Sequence, residues 1–244
     1  MELTFSLPEL TTAATDALLA LECLILMVWL WRTPAGEGWR RGLWCAVLGL
    51  LAVASLLGAI AHGLMLSAAV REALWKPLYL CLGVLVALFV VGAVADVWGN
   101  VFARRLVPWA VALGAVFFGL TELWDGAFLV FVAYEAAALI SALAIYAWLA
   151  ATGRLRGAAI IAVAIVVNLA AAGVQASSLA LWLVVPFDHN GLFHLVQMVG
   201  VALLAWGLHR SLPEAARRSL RAGDGAVSGS RQAQHRSRPT GSGR

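Results

Sequence analysis

The sequence predicts an all-α fold, an integral membrane bundle of seven helices. Of the 244 residues, 62% are hydrophobic and only 12% are charged, and the mean hydropathy is +0.88. A soluble domain carries about 25% charged residues. The apolar residues are gathered in long runs separated by short polar breaks, a pattern typical of membrane-spanning helices. These observations place the chain among integral membrane proteins rather than soluble domains.

Seven apolar runs account for the seven predicted helices, in the order 11–31, 42–66, 74–98, 106–123, 127–150, 155–183 and 190–209. At about 1.5 Å per residue, most of them are long enough to cross a hydrocarbon core of roughly 30 Å. The fourth run is the shortest. All 7 prolines lie near the ends of runs or in the tails, so none is predicted to interrupt a span.

The basic residues predict the orientation of the chain. Of the 17 Lys and Arg residues, all but Arg71 and Lys76 fall in the breaks after the first, third and fifth runs or beyond the seventh. Positive charge collects on the cytoplasmic side of membrane proteins. We therefore expect the N-terminus outside and the C-terminus in the cytoplasm, in a bacterial inner membrane.

The chain is predicted to divide into a seven-helix domain at 1–212 and a basic tail at 213–244. The tail is rich in Gly, Ser and Arg and has few residues able to form a core, so we expect it to be disordered in the cytoplasm. Its expected partner is the anionic surface of the lipid bilayer. We do not expect it to bind nucleic acid.

Polar side chains from five runs are predicted to lie at one depth, in the outer half of the bundle. Counted from the outer ends at about 1.5 Å per residue, Asp16 lies about 8 Å, Gln175 about 10 Å and Glu135 about 13 Å below the surface. His62 lies near the outer end of the second run, and His194 about a turn and a half into the seventh. Polar groups inside a membrane are costly and are usually functional. We therefore expect these residues to form one site.

The carboxylates of this layer have no basic residue beside them, because the outer halves of the predicted spans contain no Lys or Arg except Lys76, at the very end of the third run. A buried carboxylate in that setting takes up a proton or finds another positive partner. For Asp16 and Glu135, the available partners are a protonated His62 or His194, or a metal ion bound by these imidazoles. Hydrogen-bonded packing of the histidines is the alternative. Asp96, at the inner end of the third run, is expected to make interfacial contacts.

The stretch DHNGLFHLVQ at 188–197 opens the seventh helix. Asp188 is a suitable N-cap, so we expect the helix to begin at His189. Asn190, His194 and Gln197 then share one face, which we expect to point into the bundle. His189 is expected nearer the rim.

The chain resembles an uncharacterised family of bacterial seven-helix membrane proteins in the motifs TDALLA at 15–20, GAIAHG at 58–63, AAGVQ at 171–175 and HNGLFHLVQ at 189–197. More distantly it resembles the superfamily of alkaline ceramidases and adiponectin-type receptors. Proteins of that superfamily hold zinc with one His at the end of the second span and two at the start of the seventh. A Ser one turn before the first His and an Asp opening the third span assist hydrolysis of a lipid amide.

Compared position by position, His62 matches the second-span His, and His194 matches the second His of the seventh-span pair. The first His of that pair falls on Asn190. The Ser position falls on Gly58, and the third span opens with Glu72 where the superfamily pattern has an Asp. Two of the three metal ligands of the superfamily are therefore present.

By this resemblance the protein would be a metal-dependent hydrolase acting on a lipid amide or a similar bond. Zinc would be held by His62, His194 and a third ligand taken from Asp16, His189 or Glu135. The candidate catalytic residues are Asp16, Glu135, Gln175 and Asn190. Asp16 would be the third ligand or the general base, and the two amides would orient water or the substrate carbonyl.

The alternative function is non-enzymatic. In a sensor, a transport subunit or an assembly subunit, the same cluster would bind a ligand or relay protons through histidines and carboxylates. Haem held by His62 and His194 is a third hypothesis.

Overall fold

The computed structural model describes residues 3–34, 38–123 and 127–236. In these ranges the helices are α1 Leu7–Trp31, α2 Gly38–Gly63, α3 Ala68–Trp98, α4 Asn100–Leu123, α5 Ala127–Ala151, α6 Ala158–Gln175 and α7 His189–Arg236. Each contains a stretch that is long and apolar enough to cross a membrane; in α7 this stretch is His189–Pro213. The predicted all-α bundle of seven apolar helices is confirmed within these ranges.

Six of the helices form a closed ring. Along the chain α1 packs on α2 and α2 on α3, while α5 packs on α6 and α6 on α7. Contacts of α3 with α5 and of α7 with α1 complete the ring, and α4 packs on the outside against α3 and α5. A ring of six helices leaves room for a central space, and this space holds the candidate site.

Small residues bring neighbouring helices close together, as is common where helices pack in membranes. α6 begins after Gly157, whose φ of 83° favours glycine and whose missing side chain leaves space for the carbonyl of Gly207 on α7. On the other side of the ring, Gly92 of α3 faces the buried indole of Trp44 of α2. A larger residue at either position would push two helices apart.

The second, third and fourth helices begin earlier than the sequence predicted. α3 begins six residues before the predicted start at 74, and α4 begins at Asn100 rather than at 106. Pro77 and Pro108 therefore lie inside helices instead of near their ends, although α3 and α4 each continue through the proline as one helix. The polar residues before each apolar run continue the helix, which hydropathy does not detect.

The prediction of one long helix over 155–183 was also wrong. α6 ends at Gln175, and an antiparallel hairpin follows, with β1 at Leu181–Trp182 paired to β2 at Pro186–Phe187. Leu, Val and Trp favour strands as well as apolar helices, so hydropathy alone could not separate the two structures. The hairpin lies against α1, with the Thr11 hydroxyl oxygen 2.8 Å from the Pro186 carbonyl oxygen.

The structure describes only part of the backbone of the predicted tail at 213–244. The backbone of α7 is helical to Arg236, but the side chains beyond 213 and all of 237–244 lie outside the described residues. The division into domains at 212 and the disorder of the tail stay predictions.

Candidate functional site

A cavity of about 390 Å³ occupies the centre of the helix ring. Its described lining comes from α1, α2, α3, α5, α6 and α7, with no residue from α4. All six side chains that the sequence singled out line it: Asp16, His62, Glu135, Gln175, Asn190 and His194. The structure therefore brings the predicted residues to one cavity, although it does not join them into one cluster.

Asp16 and His194 form the centre of the polar network. Asp16 Oδ1 lies 3.2 Å from His194 Nε2, and both residues are buried. On the other side of the His194 imidazole, Nδ1 lies 3.1 Å from the hydroxyl of Thr15, one residue before Asp16. The expected pairing of a carboxylate with an imidazole is thus made between α1 and α7.

The Thr15 hydroxyl determines how protons are arranged in this pair. A threonine hydroxyl has one proton, and the backbone carbonyls of Thr12 and Thr11 lie 2.9 and 3.1 Å from the Thr15 oxygen. When that proton is donated to either carbonyl, the Thr15 oxygen accepts a hydrogen bond from Nδ1–H of His194, which leaves Nε2 to share a single proton with Asp16. The pair is neutral as a whole whichever atom carries that proton, so it can be buried in an apolar bundle without a counter-ion.

Gly58 of α2 provides the space for the Asp16 carboxylate. A Cβ at this position would lie 2.7 Å from Asp16 Oδ2 and 3.0 Å from Asp16 Cγ. The space that a side chain at position 58 would occupy is therefore filled by a carboxylate from the neighbouring helix. Sequence reasoning noted Gly58 only as a departure from a motif and missed this role.

The start of α7 is fixed as the sequence predicted, with Asp188 as N-cap. Asp188 Oδ1 accepts the backbone N–H of Gly191 at 2.8 Å and the hydroxyl of Thr12 at 2.8 Å. This links the first turn of α7 to α1 and sets the position of His194 relative to Asp16. Asn190, His194 and Gln197 all line the cavity, and His189, expected nearer the rim, lines it too.

His62 has a different partner from the one expected. Its Nδ1 lies 2.6 Å from Oε2 of Glu9, near the start of α1, and its ring packs edge-on against Trp75. The side chains are 18% and 43% exposed, so this pair lies at the edge of the polar network and not within it. Glu9 was not among the predicted site residues.

The described residues do not fit the zinc ion that the resemblance implied. Both nitrogens of His194 already face protein groups, and Nδ1 of His62 faces Glu9. Asn190, in place of the third histidine, is a poor zinc ligand. Within the described ranges no three His, Cys, Asp or Glu side chains are grouped to hold a metal. The ligand set His62, His194 and Asp16 stays a prediction, and no chemical step is derived through it.

Glu135 of α5 and Gln175 of α6 line the cavity with unpartnered oxygens. Glu135 Oε2 and Gln175 Oε1 are both buried, and neither has a hydrogen-bond partner in the part of the chain that the structure describes. Gln175 is the last residue of α6, so its predicted place about 10 Å down a longer helix was wrong. Two buried acceptors in one cavity are sites at which a ligand or water would donate hydrogen bonds.

A second polar cluster lies at the opposite end of the bundle, and sequence reasoning missed it. Arg40 Nη2 lies 2.5 Å from Asp96 Oδ1, with the side chains only 3% and 1% exposed. The Tyr146 hydroxyl donates to Asp96 at 2.9 Å, and Arg40 donates to Ser211 at 3.1 Å. Asp96 was expected at the interface but is fully enclosed, because α2 begins at Gly38 and carries Arg40 into the bundle. This ion pair joins α2, α3, α5 and α7.

The comparisons with known proteins give a family without an activity. A sequence model of the family described as "Family of unknown function (DUF6962)" matches residues 11–213, from α1 to the apolar end of α7. No curated protein and no solved structure matches the chain. The resemblance to alkaline ceramidases and adiponectin-type receptors therefore stays a prediction.

Proposed function

We propose that this chain, which belongs to the family of unknown function DUF6962, is a membrane protein that binds a small amphipathic molecule inside its helix ring. The observation that carries the proposal is the central cavity, which is polar at one end and apolar at the other. Its volume of about 390 Å³ falls in the range of roughly 300–1,000 Å³ that small-molecule sites occupy.

The polarity of the lining changes in the same spatial direction along two helices of the ring, α2 and α7. Along α2 it passes from Val47 and Leu51 to His62, one residue before the helix ends. Along α7 it passes in the opposite chain direction, from Asn190 near the helix start to Leu204. The polar residues lie near the end of α2 and near the start of α7. Both helices therefore place polar groups at the end of the bundle where α1 begins. An amphipathic ligand would lie with its head group there and its hydrocarbon part deeper.

In this proposal the protein lies in a bacterial inner membrane with the polar end of the cavity facing outward. The support is the distribution of Lys and Arg, of which only Arg71 and Lys76 fall at the end where α1 begins. The ligand would enter from the outer leaflet or from the space beyond it. This arrangement suits a receptor or a transport subunit better than a protein that acts on cytoplasmic solutes.

A ligand-binding role has better support than the metal-dependent hydrolase of a lipid amide. The hydrolase needs a metal to lower the pKa of a bound water, and the histidines of this site are engaged with Asp16, Thr15 and Glu9. A binding site needs only shape, an apolar surface and a few placed polar groups.

The proposal is tested by the binding of octanol to the protein in lipid nanodiscs, measured by titration calorimetry against empty nanodiscs. We expect saturable binding to one site per chain. Ala164→Leu, which fills part of the cavity, should weaken binding by about ten-fold or more. Ala170→Leu, on an exposed position of the same helix, is the matched control and should bind as the wild type does.

Equal heats from loaded and empty nanodiscs would contradict the proposal. So would an Ala164→Leu variant that keeps its thermal unfolding transition and binds octanol like the control. Both outcomes would mean that octanol dissolves in the lipid and does not occupy the cavity.

A further inference from the structure

The cavity has acidic groups but no basic residue other than histidine. Its described lining includes the carboxylates of Asp16 and Glu135 and the imidazoles of His62, His189 and His194, with no Lys or Arg. Three of these groups are already matched, because Asp16 faces His194 at 3.2 Å and His62 faces Glu9 at 2.6 Å. The remaining carboxylate is that of Glu135.

Glu135 is left without a partner of opposite charge among the described residues. Its Oε2 is buried and makes no hydrogen bond to any residue that the structure describes, and the same is true of Gln175 Oε1 on the neighbouring helix. A buried carboxylate oxygen without a donor is costly, and an isolated charge still more so. Both atoms are acceptors, so what the site lacks is a donor, and for Glu135 a positive one.

A primary ammonium group supplies what these two oxygens lack. It carries three N–H donors and a positive charge, and it has no acceptor that would need a partner. A carboxylate or phosphate head group would instead bring negative charge to Glu135 with no Lys or Arg to receive it. A hydroxyl head group could donate one hydrogen bond but would not match the charge.

The deeper lining fits the rest of such a molecule. Leu51 and Ala54 of α2 and Val86 and Phe89 of α3 form part of an apolar surface beyond the polar groups. Burial of a hydrocarbon chain there is favourable, because each methylene is removed from water. The site thus combines hydrogen-bond acceptors at one end with an apolar surface at the other.

We infer that the cavity binds a single-chain amphiphile with a primary ammonium head group, which Glu135 and Gln175 receive while the chain lies against the apolar wall. This inference rests on the proposed function, because it names the ligand class for the same cavity. In this inference Glu135 recognises the positive charge of the ligand, while Asp16 and His194 remain paired with each other.

The test compares three probes of equal chain length, octylamine, octanol and octanoate, by calorimetry in nanodiscs of neutral lipid at neutral pH. We expect octylamine to bind about ten-fold or more tightly than octanol, and octanoate to bind most weakly. Glu135→Gln keeps the shape and an acceptor but removes the charge. This variant should lose the preference for the amine and keep the affinity for octanol.

Glu22→Gln is the matched control. Glu22 also has a buried Oε2 without a hydrogen-bond partner in the described ranges, but it does not line the cavity. The control should leave the amine preference intact. Gln175→Leu provides a second variant, which should weaken octylamine binding with a smaller effect on octanol.

The outcomes separate the inference from the proposed function. If octanol and octylamine bind equally to the wild type, or if Glu135→Gln and Glu22→Gln behave alike, the ammonium inference is overturned while the cavity remains a ligand site. If none of the three probes binds above the empty nanodisc, the proposed function itself fails.

Discussion

The Gly58→Ala substitution tests the polar network through a single added methyl group. The new Cβ would lie 2.7 Å from Asp16 Oδ2, well inside ordinary van der Waals contact. To relieve this overlap, the carboxylate would have to retreat by roughly 0.7 Å. Asp16 Oδ1 already lies 3.2 Å from His194 Nε2, at the long end of the hydrogen-bond range. The shift would therefore break or bend the contact between α1 and α7.

The expected cost is of the size found for overpacked cores. Adding a methyl group to a tightly packed site lowers the free energy of unfolding by about 1–3 kcal/mol. For a chain of this size each kcal/mol lowers the melting temperature by about 2–4 °C. Gly42→Ala is the control on the same helix, because a Cβ there has no atom within 4 Å. That control should be neutral or slightly stabilising, since Ala favours a helix more than Gly does.

The assay is thermal unfolding in detergent, followed by circular dichroism, for a double-mutant cycle of Gly58→Ala and Asp16→Ala. If the methyl group acts through the carboxylate, Gly58→Ala should be nearly harmless once Asp16 is truncated, giving a large coupling energy. The reasoning is refuted if Gly58→Ala is as mild as Gly42→Ala. It is also refuted if the two substitutions are simply additive.

Three other predictions follow from the rest of the structure. Arg40→Met or Asp96→Leu alone should lower the free energy of unfolding by about 3–5 kcal/mol, because each leaves a buried charge unpaired. The double variant should lose less stability than either single variant. Equal losses in all three variants would contradict a paired role. A nitroxide label is attached at Val184→Cys after the native cysteines are replaced. It should collide more with oxygen than with a water-soluble nickel complex, because the hairpin tip is apolar and Val184 is 92% exposed. The reverse order would place the hairpin in water. Removal of divalent metals with EDTA should leave octanol binding unchanged, since the proposed site uses no metal, whereas a loss of binding restored by zinc would favour the ligand set His62, His194 and Asp16.

The sequence predicted the architecture well, because that information is carried by composition and periodicity. The seven apolar runs correspond to seven helices, and the N-cap at Asp188 follows from local chemistry that one helix end contains. The residues of the site could be identified from the sequence because carboxylates, imidazoles and amides cost free energy inside an apolar span and are rarely placed there. Depth along each helix was then enough to predict that they share one region.

The partners within that region could not be predicted, because depth does not determine the rotation of one helix relative to the next. Asp16, His62 and His194 had suitable depths for a metal, but the folded chain pairs His62 with Glu9 and His194 with Asp16. Arg40 was assigned to a loop, since counting charges does not show where a helix begins. The hairpin after Gln175 was missed for a similar reason, because its residues are as apolar as a span.

Photocrosslinking with an octyl chain that carries a terminal diazirine tests the central claim most directly. After irradiation in nanodiscs and digestion, the labelled residues are identified by mass spectrometry, with and without an excess of octanol. We expect octanol-sensitive labelling of the apolar wall inside the ring, at Leu51, Val86 and Phe89. Labelling confined to exposed residues on the outside of the bundle, such as Leu56 and Val163, and unaffected by octanol, would contradict a ligand site at the centre of the bundle.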